Sequence, residues 1–322
     1  MLRDYFCDKD AISALVGNEW ELVLEWPDGH ARHVDPRLQE GFEWWQQGIA
    51  RSSMALSRRR SGKILSALYD TWTLHSWSQW IERSGVQTAS DVIILHIDDH
   101  KDVAPPRLRA EGDQFVDAIS GSLVSIADPT SIQSAIQSGA IGMGSFMTPF
   151  LHAIPTAEVR HLCQPPKVTN TNDHKISLAY KADTLLHLGS RRPCIELVQS
   201  VNETGRGRYR ITPHLDDWLE DITGNDVSPI LLHIDMDYFN NRYDGDSEWV
   251  TRKAVLDPPI EDVFAKIDEI TAALEKMNLG LRIVDTVIAY SPGFFPAEFW
   301  RAAGERLVSR LNRLYANSTK NR

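Results

Sequence analysis

The strongest constraint on the fold of this 322-residue chain is a set of short, continuous apolar runs rich in β-branched residues. The three clearest runs are Val92–Ile97, Ile230–Ile234 and Val284–Ala289. Such runs are typical of strands that are buried on both faces of a parallel sheet. Weaker strand candidates are Glu158–Cys163 and Cys194–Val201. The sequence therefore predicts a sheet whose central strands are parallel.

Amphipathic helical patterns separate these runs. The clearest is Pro258–Met277, which begins with proline as many helices do. Further helical patterns cover Lys63–Arg83, part of Asp128–Ile154, and Pro296–Tyr315. Because strands and helices alternate along the chain, we expect an α/β fold with a largely parallel central sheet.

Two other segments give local signals. Residues 21–26 (ELVLEW) alternate loosely between apolar and polar side chains and end at a Pro-Asp-Gly turn, which indicates a strand. Residues 202–208 (NETGRGR) predict a hairpin turn between the strand candidates on either side of them.

Composition and charge exclude several classes of function. Asp and Glu number 44 against 34 Lys and Arg, so the formal net charge is −10. This surplus argues against nucleic acid or an anionic membrane as the main partner, and it would suit a cationic substrate. No apolar run reaches the ~18 residues of a transmembrane helix. The charged amino terminus does not resemble a secretory signal, so a cytoplasmic location is expected.

The three cysteines predict free thiols. Cys7, Cys163 and Cys194 are widely spaced and form no CxxC pair. A structural zinc site built from thiolates is therefore not expected, and a reducing compartment is the simplest interpretation.

Two acidic motifs, HIDDHKD and HIDMD, each follow a predicted buried strand and mark the candidate site. Asp98, His100 and Asp102 fall at alternate positions of the first motif. Asp235 and Asp237 do the same in the second. Alternate residues of an extended chain share one face. Functional sites of parallel α/β sheets gather at the carboxyl ends of the strands, so we expect these five side chains to meet there.

Four carboxylates and one imidazole at a single edge would be costly to bury without cations. Two divalent metal ions about 3.5–4 Å apart would neutralise the carboxylates and could hold a bridging hydroxide. Oxygen-rich ligation with some histidine favours manganese, so two Mn²⁺ ions are the predicted cofactor. The alternative is that each motif is only a turn or a helix cap. The presence of two such motifs, each after a buried strand, favours the metal site.

The same motifs resemble those of a known enzyme superfamily. DDHKD resembles the DAHxD motif of arginases and other ureohydrolases, and DMD resembles their SxDxD motif. The longer stretches HIDDHKD, HIDMDYF and TVIAYSPGFFP are more similar to the UPF0489 family, which includes the peptide arginases of ribosomal-peptide biosynthesis. The resemblance implies an arginase-like three-layer α/β/α fold over residues 61–322. Residues 1–60 would be an accessory section of the same domain.

The resemblance also implies which residues hold the metals. Asp98 and Asp235 would bridge the two ions. Asp102 would complete the ligands of one ion, and His100 and Asp237 those of the other.

A further metal histidine belongs to the family's GGDHS motif, which is absent here. His75 lies at a similar distance before Asp98 in the sequence and is taken as the sixth ligand. The alternative is a helix-surface or core histidine.

The implied activity is hydrolysis of arginine side chains within a precursor peptide to ornithine, with release of urea. Hydroxide would attack the guanidinium carbon, and Asp102 would relay a proton to the leaving amine. Glu298 would orient the guanidinium, although a glutamate in this position also suits the start of a helix. His152 is the candidate proton shuttle, with a core histidine as the alternative.

The substrate is expected to be arginine inside a peptide. The stretch after DDHKD reads VAPPR and lacks the polar side chains with which arginases grip the backbone groups of free arginine. Three alternatives stay open. They are a small-molecule ureohydrolase acting on agmatine or guanidino acids, a one-zinc deacylase of the same fold, and a non-catalytic metal- or peptide-binding module. Ureohydrolases often associate, so a homo-oligomer is also left open.

Overall fold

The computed structural model describes residues 5–6, 8–29, 33–112, 114–200, 205–224, 226–253 and 255–320, with only the backbone of the last two. Cys7 and part of the predicted 202–208 turn lie outside the described residues. Cys163 and Cys194 are free, buried thiols, as expected.

Strands and helices alternate over most of the described chain. In chain order the strands are β1 (Asp10–Val16), β2 (Glu19–Glu25), β3 (Arg58–Ser61), β4 (Ile64–Ala67), β5 (Ile93–Ile97), β6 (Leu108–Glu111), β7 (Gln114–Asp117), β8 (Leu123–Val124), β9 (Glu158–Leu162), β10 (Asn172–Ala182), β11 (Arg191–Gln199), β12 (Arg208–Thr212), β13 (Ile230–Asp235) and β14 (Ile283–Ala289). The α-helices are α1 (Leu38–Trp45), α2 (Trp72–Ser84), α3 (Val86–Ala89), α4 (Pro129–Ser138), α5 (Met147–Ala153), α6 (Leu215–Trp218), α7 (Ile260–Lys276) and α8 (Trp300–Lys320).

A nine-stranded sheet forms the centre of the fold, in the order β11-β10-β12-β9-β5-β13-β14-β4-β3. Neighbouring strands from β12 to β4 in this order are parallel. The outer pairs, β3 with β4 and β10 with both β11 and β12, are antiparallel. The predicted α/β class with a largely parallel central sheet is therefore confirmed.

Helices cover both faces of this sheet. Leu95 and Ile97 of β5 belong to one apolar cluster, which includes the inner faces of α7 and α8. Ile94, on the opposite face of β5, belongs to a second cluster with side chains of α2, α4 and α5. This arrangement is compatible with a three-layer α/β/α fold. It also explains the continuous apolar runs, because side chains on both faces of the strand are buried.

The predicted single helix over Lys63–Arg83 is wrong in its first half. Ile64–Ala67 is strand β4, and the helix begins only at Trp72. Ile64 and Leu65 pack into opposite apolar clusters, so the strand carries no alternation of polar and apolar side chains. A four-residue apolar run cannot be distinguished from a helical turn by periodicity, and pairing with β14 makes it a strand.

The predicted hairpin between β11 and β12 is also wrong. The two strands are not neighbours, because β10 lies between them and pairs with both. Only one residue of the long strand β10 is buried, so its sequence lacks the continuous apolar run of the central strands.

The N-terminal section divides into two parts. Strands β1 and β2 form a separate two-stranded antiparallel sheet, which includes the strand indicated by ELVLEW. Helix α1 packs onto α8 through Gly41, where an added Cβ would lie 2.5 Å from the ring of Trp300.

In the described part of the chain, every helix is too short or too polar to cross a membrane.

Candidate metal centre

Both acidic motifs lie at the same edge of the sheet because their strands are parallel neighbours. In the register of β5 and β13, Ile97 is opposite Ile234. Asp98 therefore follows the end of β5 beside Asp235, the last residue of β13. Each motif begins with a turn that its first aspartate caps. Asp98 Oδ1 accepts a hydrogen bond from the His100 N–H at 2.6 Å, and Asp235 Oδ1 accepts one from the Asp237 N–H at 3.1 Å.

The side chains of the two motifs meet at His100. Its Nδ1 lies 2.9 Å from Asp237 Oδ2 and 3.6 Å from Asp98 Oδ1. Ligand-type atoms of these three residues lie within 4.8 Å of one another, which is close enough to hold one metal ion. The expectation that a continuous strand aligns the first motif is wrong, since β5 ends at Ile97 and the turn after it brings Asp98 and His100 together.

A second group, fully buried, consists of Asp98, Asp102, His96 and His233. The hydrogen bonds assign the two imidazoles to a supporting role. His96 Nε2 lies 3.0 Å from the His100 carbonyl oxygen, to which it donates, and its Nδ1 then accepts from His233 Nδ1 at 2.9 Å. Burial lowers the pKa of both histidines. They are thus neutral groups that hold the first motif in place.

The carboxylates fit a cation. Asp98 Oδ2 and Asp102 Oδ2 are buried and have no hydrogen-bond partner among the described residues. Burial raises the pKa of Asp98, and the nearby Asp102 and Asp237 raise it further. Burial likewise raises the pKa of Asp235, and the negative charge of Asp237 raises it further. A divalent cation would remove this cost by neutralising the negative charges and occupying the unpaired oxygens.

Sequence reasoning missed a fifth acid, Asp70. It follows β4, is 3% exposed, and accepts a hydrogen bond at Oδ2 from the Gly144 N–H at 2.8 Å. Its Oδ1 is buried and has no hydrogen-bond partner among the described residues. Burial raises the pKa of Asp70, and so does the nearby Asp102. The sequence does not mark Asp70 as an acid at a strand end, because the apolar residues of Ile64–Ala67 also fit helical spacing.

These acids form the base of a cavity of about 530 Å³. Tyr69, Met143 and Phe294 contribute to its walls, together with Asp8 and His33 from the N-terminal section. The metal-type residues that line the cavity are Asp70, His100, Asp102, Asp235 and Asp237. The cavity is thus acidic at its base and largely apolar at its sides.

Asp99 does not face the cavity. Its Oδ2 lies 2.6 Å from Lys167 Nζ and accepts a hydrogen bond from Asn241. Lys167 also lies 3.4 Å from Asp244, which accepts a hydrogen bond from His100 Nε2 at 3.0 Å. Burial opposes ionisation of Asp244, but His100 and Lys167 hold its pKa well below the usual range. Because Asp244 accepts a hydrogen bond from the Nε2–H of His100, Nδ1 is the nitrogen that can bind a metal.

The structure does not bring His75 to the carboxylates. His75 lies on α2, edge-on to Trp72 with 5.3 Å between ring centroids. Burial, together with the nearby guanidinium groups of Arg58 and Arg60, lowers the pKa of His75 to about 4. Two cations beside the ring would repel a metal ion. The surroundings of His75 therefore match the alternative of a core histidine.

Glu298 and His152 also lie away from the cavity. Glu298 is paired with Arg242, whose Nη1 is 2.6 Å from Oε1. His152 on α5 lies 3.0 Å from the Cys194 carbonyl oxygen and lines a different cavity beside Phe115. The structure gives both residues local structural contacts and does not place them at the candidate centre.

A serine, Ser291, lies just after the end of β14. Ser291 lines the cavity and donates a hydrogen bond through Oγ to Asp235 Oδ2 at 2.5 Å. It orients a carboxylate and does not add one.

Comparison with known proteins gives no further guide to function. No protein-family model matches the chain, and no curated protein matches its sequence. The function is therefore inferred from the cavity and its carboxylates.

Proposed function

We propose that this chain is an arginase-like, metal-dependent hydrolase that converts arginine residues within peptides to ornithine and releases urea. The observation that carries the proposal is the convergence of the two acidic motifs at the base of one cavity. His100, Asp102, Asp235 and Asp237 line that base, and Asp98 lies 3.6 Å from His100. The largely parallel central sheet with helices on both faces is compatible with a three-layer α/β/α fold.

The chemistry of the donor set supports two manganese ions. Carboxylate oxygens with one imidazole suit Mn²⁺ better than a metal that prefers thiolates. The residues that would hold the ions are Asp70, Asp98, His100, Asp102, Asp235 and Asp237. When bound, two divalent cations would supply a water molecule of lowered pKa and stabilise negative charge on the reacting groups.

Asp102 is the residue we propose to move the proton. Its Oδ2 is buried and has no hydrogen-bond partner among the described residues, and the residue lines the cavity. With one oxygen of the Asp102 carboxylate bound to a metal ion, the other oxygen could take up a proton and pass it to the leaving amine.

The walls of the cavity suit an arginine side chain. Phe294 and Pro292 offer apolar surface to the aliphatic stem of the arginine. Val103 and Ala104, which follow the first motif, also line the cavity and offer no side-chain partner for a free carboxylate or ammonium group. This apolar pair favours a substrate without free backbone termini, as in a peptide, while Lys101 and Asp8 are the charged side chains elsewhere in the lining that such termini could meet.

The test is incubation of the protein and Mn²⁺ with an arginine-containing peptide, followed by mass spectrometry and a urea assay. We expect a mass loss of ~42 Da per converted arginine, the value for replacing guanidine by amine in this chemistry. Asp237→Asn should abolish urea release. Asp216→Asn, at an exposed position, is the matched control and should leave it unchanged.

The alternatives give different products in the same assay. Urea from agmatine or free arginine, but not from the peptide, would indicate a small-molecule ureohydrolase. Acetate release from an acetyl-lysine peptide with one zinc per chain would indicate a deacylase. Metal binding without turnover of any of these substrates would leave a binding module and overturn the proposal.

A further inference from the structure

The hairpin of β1 and β2 lies apart from the central sheet. Its two strands pair only with each other among the described residues, from Asp10 opposite Glu25 to Val16 opposite Glu19. Nearly all of its residues are exposed. An isolated two-stranded hairpin is at best marginally stable in water, and each strand presents an unpaired edge.

The hairpin exposes large apolar side chains. On one face Leu15 lies opposite Trp20, with 59% and 70% of their surfaces exposed. Leu22 is on the same face, and Ile12 lies opposite Val23 on the other face. A cluster of exposed apolar residues beside unpaired strand edges is typical of a surface that binds another chain.

The charge of the hairpin favours a cationic partner. Residues 10–25 include four acids (Asp10, Glu19, Glu21 and Glu25) and neither lysine nor arginine. A second copy of this chain would bring the same acids against one another, which is unfavourable. A peptide that carries arginine has the complementary charge.

The base of the hairpin reaches the cavity. Asp8, just before β1, and Pro27, just after β2, both line it. Asp8 Oδ2 accepts a hydrogen bond from the Met143 N–H at 2.8 Å, and Lys9 Nζ lies 4.7 Å from the ring centroid of Trp26. These contacts fix the start and the end of the hairpin at the rim of the cavity. One end of the hairpin therefore lies beside the cavity that the metal-type residues line.

We infer that the β1–β2 hairpin is the docking site for the substrate peptide, which adds to it as a third, extended strand. Main-chain hydrogen bonds to a free edge would provide affinity. Leu15, Trp20 and Leu22 would contact alternate side chains of the peptide. The acids of the hairpin would attract arginine-bearing sequences, and the arginine nearest the rim would enter the cavity. This inference rests on the proposed function for its substrate class, and it adds a peptide-binding surface outside the metal centre.

The test measures binding and turnover separately. The probe is a dye-labelled peptide of alternating valine and threonine with one central arginine and flanking lysines, and its binding is followed by fluorescence anisotropy. In Trp20→Ser/Leu22→Ser we expect the dissociation constant to rise about tenfold, equivalent to about 1.4 kcal/mol. The KM for the peptide should rise similarly, while kcat/KM for N-acetylarginine amide stays within twofold.

Two further variants complete the design. Leu188→Ser/Val227→Ser removes side chains that are 78% and 98% exposed elsewhere, and it should leave peptide binding unchanged. Glu21→Lys/Glu25→Lys should weaken binding most at low salt, since screening reduces the attraction. Thermal unfolding of each variant checks that the remainder of the chain is intact.

The outcomes separate this inference from the proposed function. Failure of the wild-type protein to bind the peptide, or equal binding by wild type and the hairpin double variant, overturns the docking site even if urea is released. Loss of a dimer in the hairpin variant without a change in peptide binding overturns it in favour of a second copy. Hairpin-dependent binding with no urea from any substrate supports the docking site and refutes the arginine hydrolase.

Discussion

Nδ1 of His100 lies 2.9 Å from Oδ2 of Asp237, although the two residues are far apart in the sequence and follow different strands. Burial alone would lower the pKa of His100, but Asp237 raises it above the ordinary value. The close approach joins the two acidic motifs. It also places an imidazole nitrogen and a carboxylate oxygen where one cation could contact both.

Metal binding is expected to stabilise the folded protein, and removal of metal should reverse this. At about 100 times the dissociation constant, Mn²⁺ should add about 2.7 kcal/mol to the free energy of unfolding, which corresponds to about 4 °C in Tm. Differential scanning calorimetry with Mn²⁺ and then with EDTA measures the effect. Asp237→Asn should lose most of it and Asp216→Asn none. An equal Mn²⁺ effect in Asp237→Asn would show that the ion binds elsewhere.

The metal-free protein should become less stable as the pH rises. Burial raises the pKa of Asp70, Asp98 and Asp235, so the folded state keeps protons that the unfolded state releases near pH ~4. The free energy of unfolding therefore falls as pH increases above ~4 through the raised pKa values. Urea unfolding in EDTA between pH 5 and 8 measures the slope.

The variant Asp98→Asn is the control for this pH dependence. It cannot ionise at that position, so its stability should fall less steeply over the same pH range. Saturating Mn²⁺ should also flatten the wild-type slope. If the free energy of unfolding changes with pH equally in wild type and variant in EDTA, Asp98 is not a source of the pH dependence.

His75 should affect acid stability without affecting metal binding. Its pKa is about 4 in the folded protein and ~6.5 when unfolded, so the unfolded state binds more protons between these values. Stability that His75 contributes is thus lost as pH falls from ~6.5 to ~4. We expect His75→Gln to show a smaller acid loss in urea unfolding and an unchanged Mn²⁺ titration. A weakened Mn²⁺ affinity would restore His75 as a ligand.

Glu298 should matter for stability and little for turnover. Glu298→Gln removes the charge that pairs with Arg242 at 2.6 Å, where the side chains are only 9% and 16% exposed. We expect a loss of about 1–3 kcal/mol in unfolding free energy, the usual cost of an unpaired, largely buried charged group. The KM for N-acetylarginine amide should not change. A large rise in that KM with unaltered stability would place Glu298 at the substrate.

Gly41 should tolerate no side chain. A Cβ there would lie 2.5 Å from the ring of Trp300, whose side chain is fully buried. Gly41→Ala should therefore cost about 1–3 kcal/mol through overpacking between α1 and α8. Chemical denaturation measures the loss. Gly29→Ala, where an added Cβ meets nothing within 4 Å, is the matched control and should be close to neutral.

Much of the fold and five residues of the candidate site could be predicted from the sequence alone. Runs such as Ile230–Ile234 carry their own signal, because a strand buried on both faces must be apolar at every position. The two acidic motifs that follow such strands are likewise recognised from a few neighbouring residues. The carboxyl ends of parallel strands meet at one edge, so the sequence predicted that the motifs would lie together.

Tertiary structure alone decided the remaining positions. Asp70 lines the cavity because the four-residue strand before it pairs with β14. His75 lies outside the cavity because the helix that carries it places its ring near Arg58 and Arg60. Glu298 forms an ion pair with Arg242. Asp8 lines the cavity although it is distant in sequence from the two acidic motifs. Sequence by itself determined the strand cores and the acids that end them, since burial and backbone period act over a few neighbouring residues. Which other side chains share the cavity depends on contacts between distant segments, and these exist only once the chain has packed.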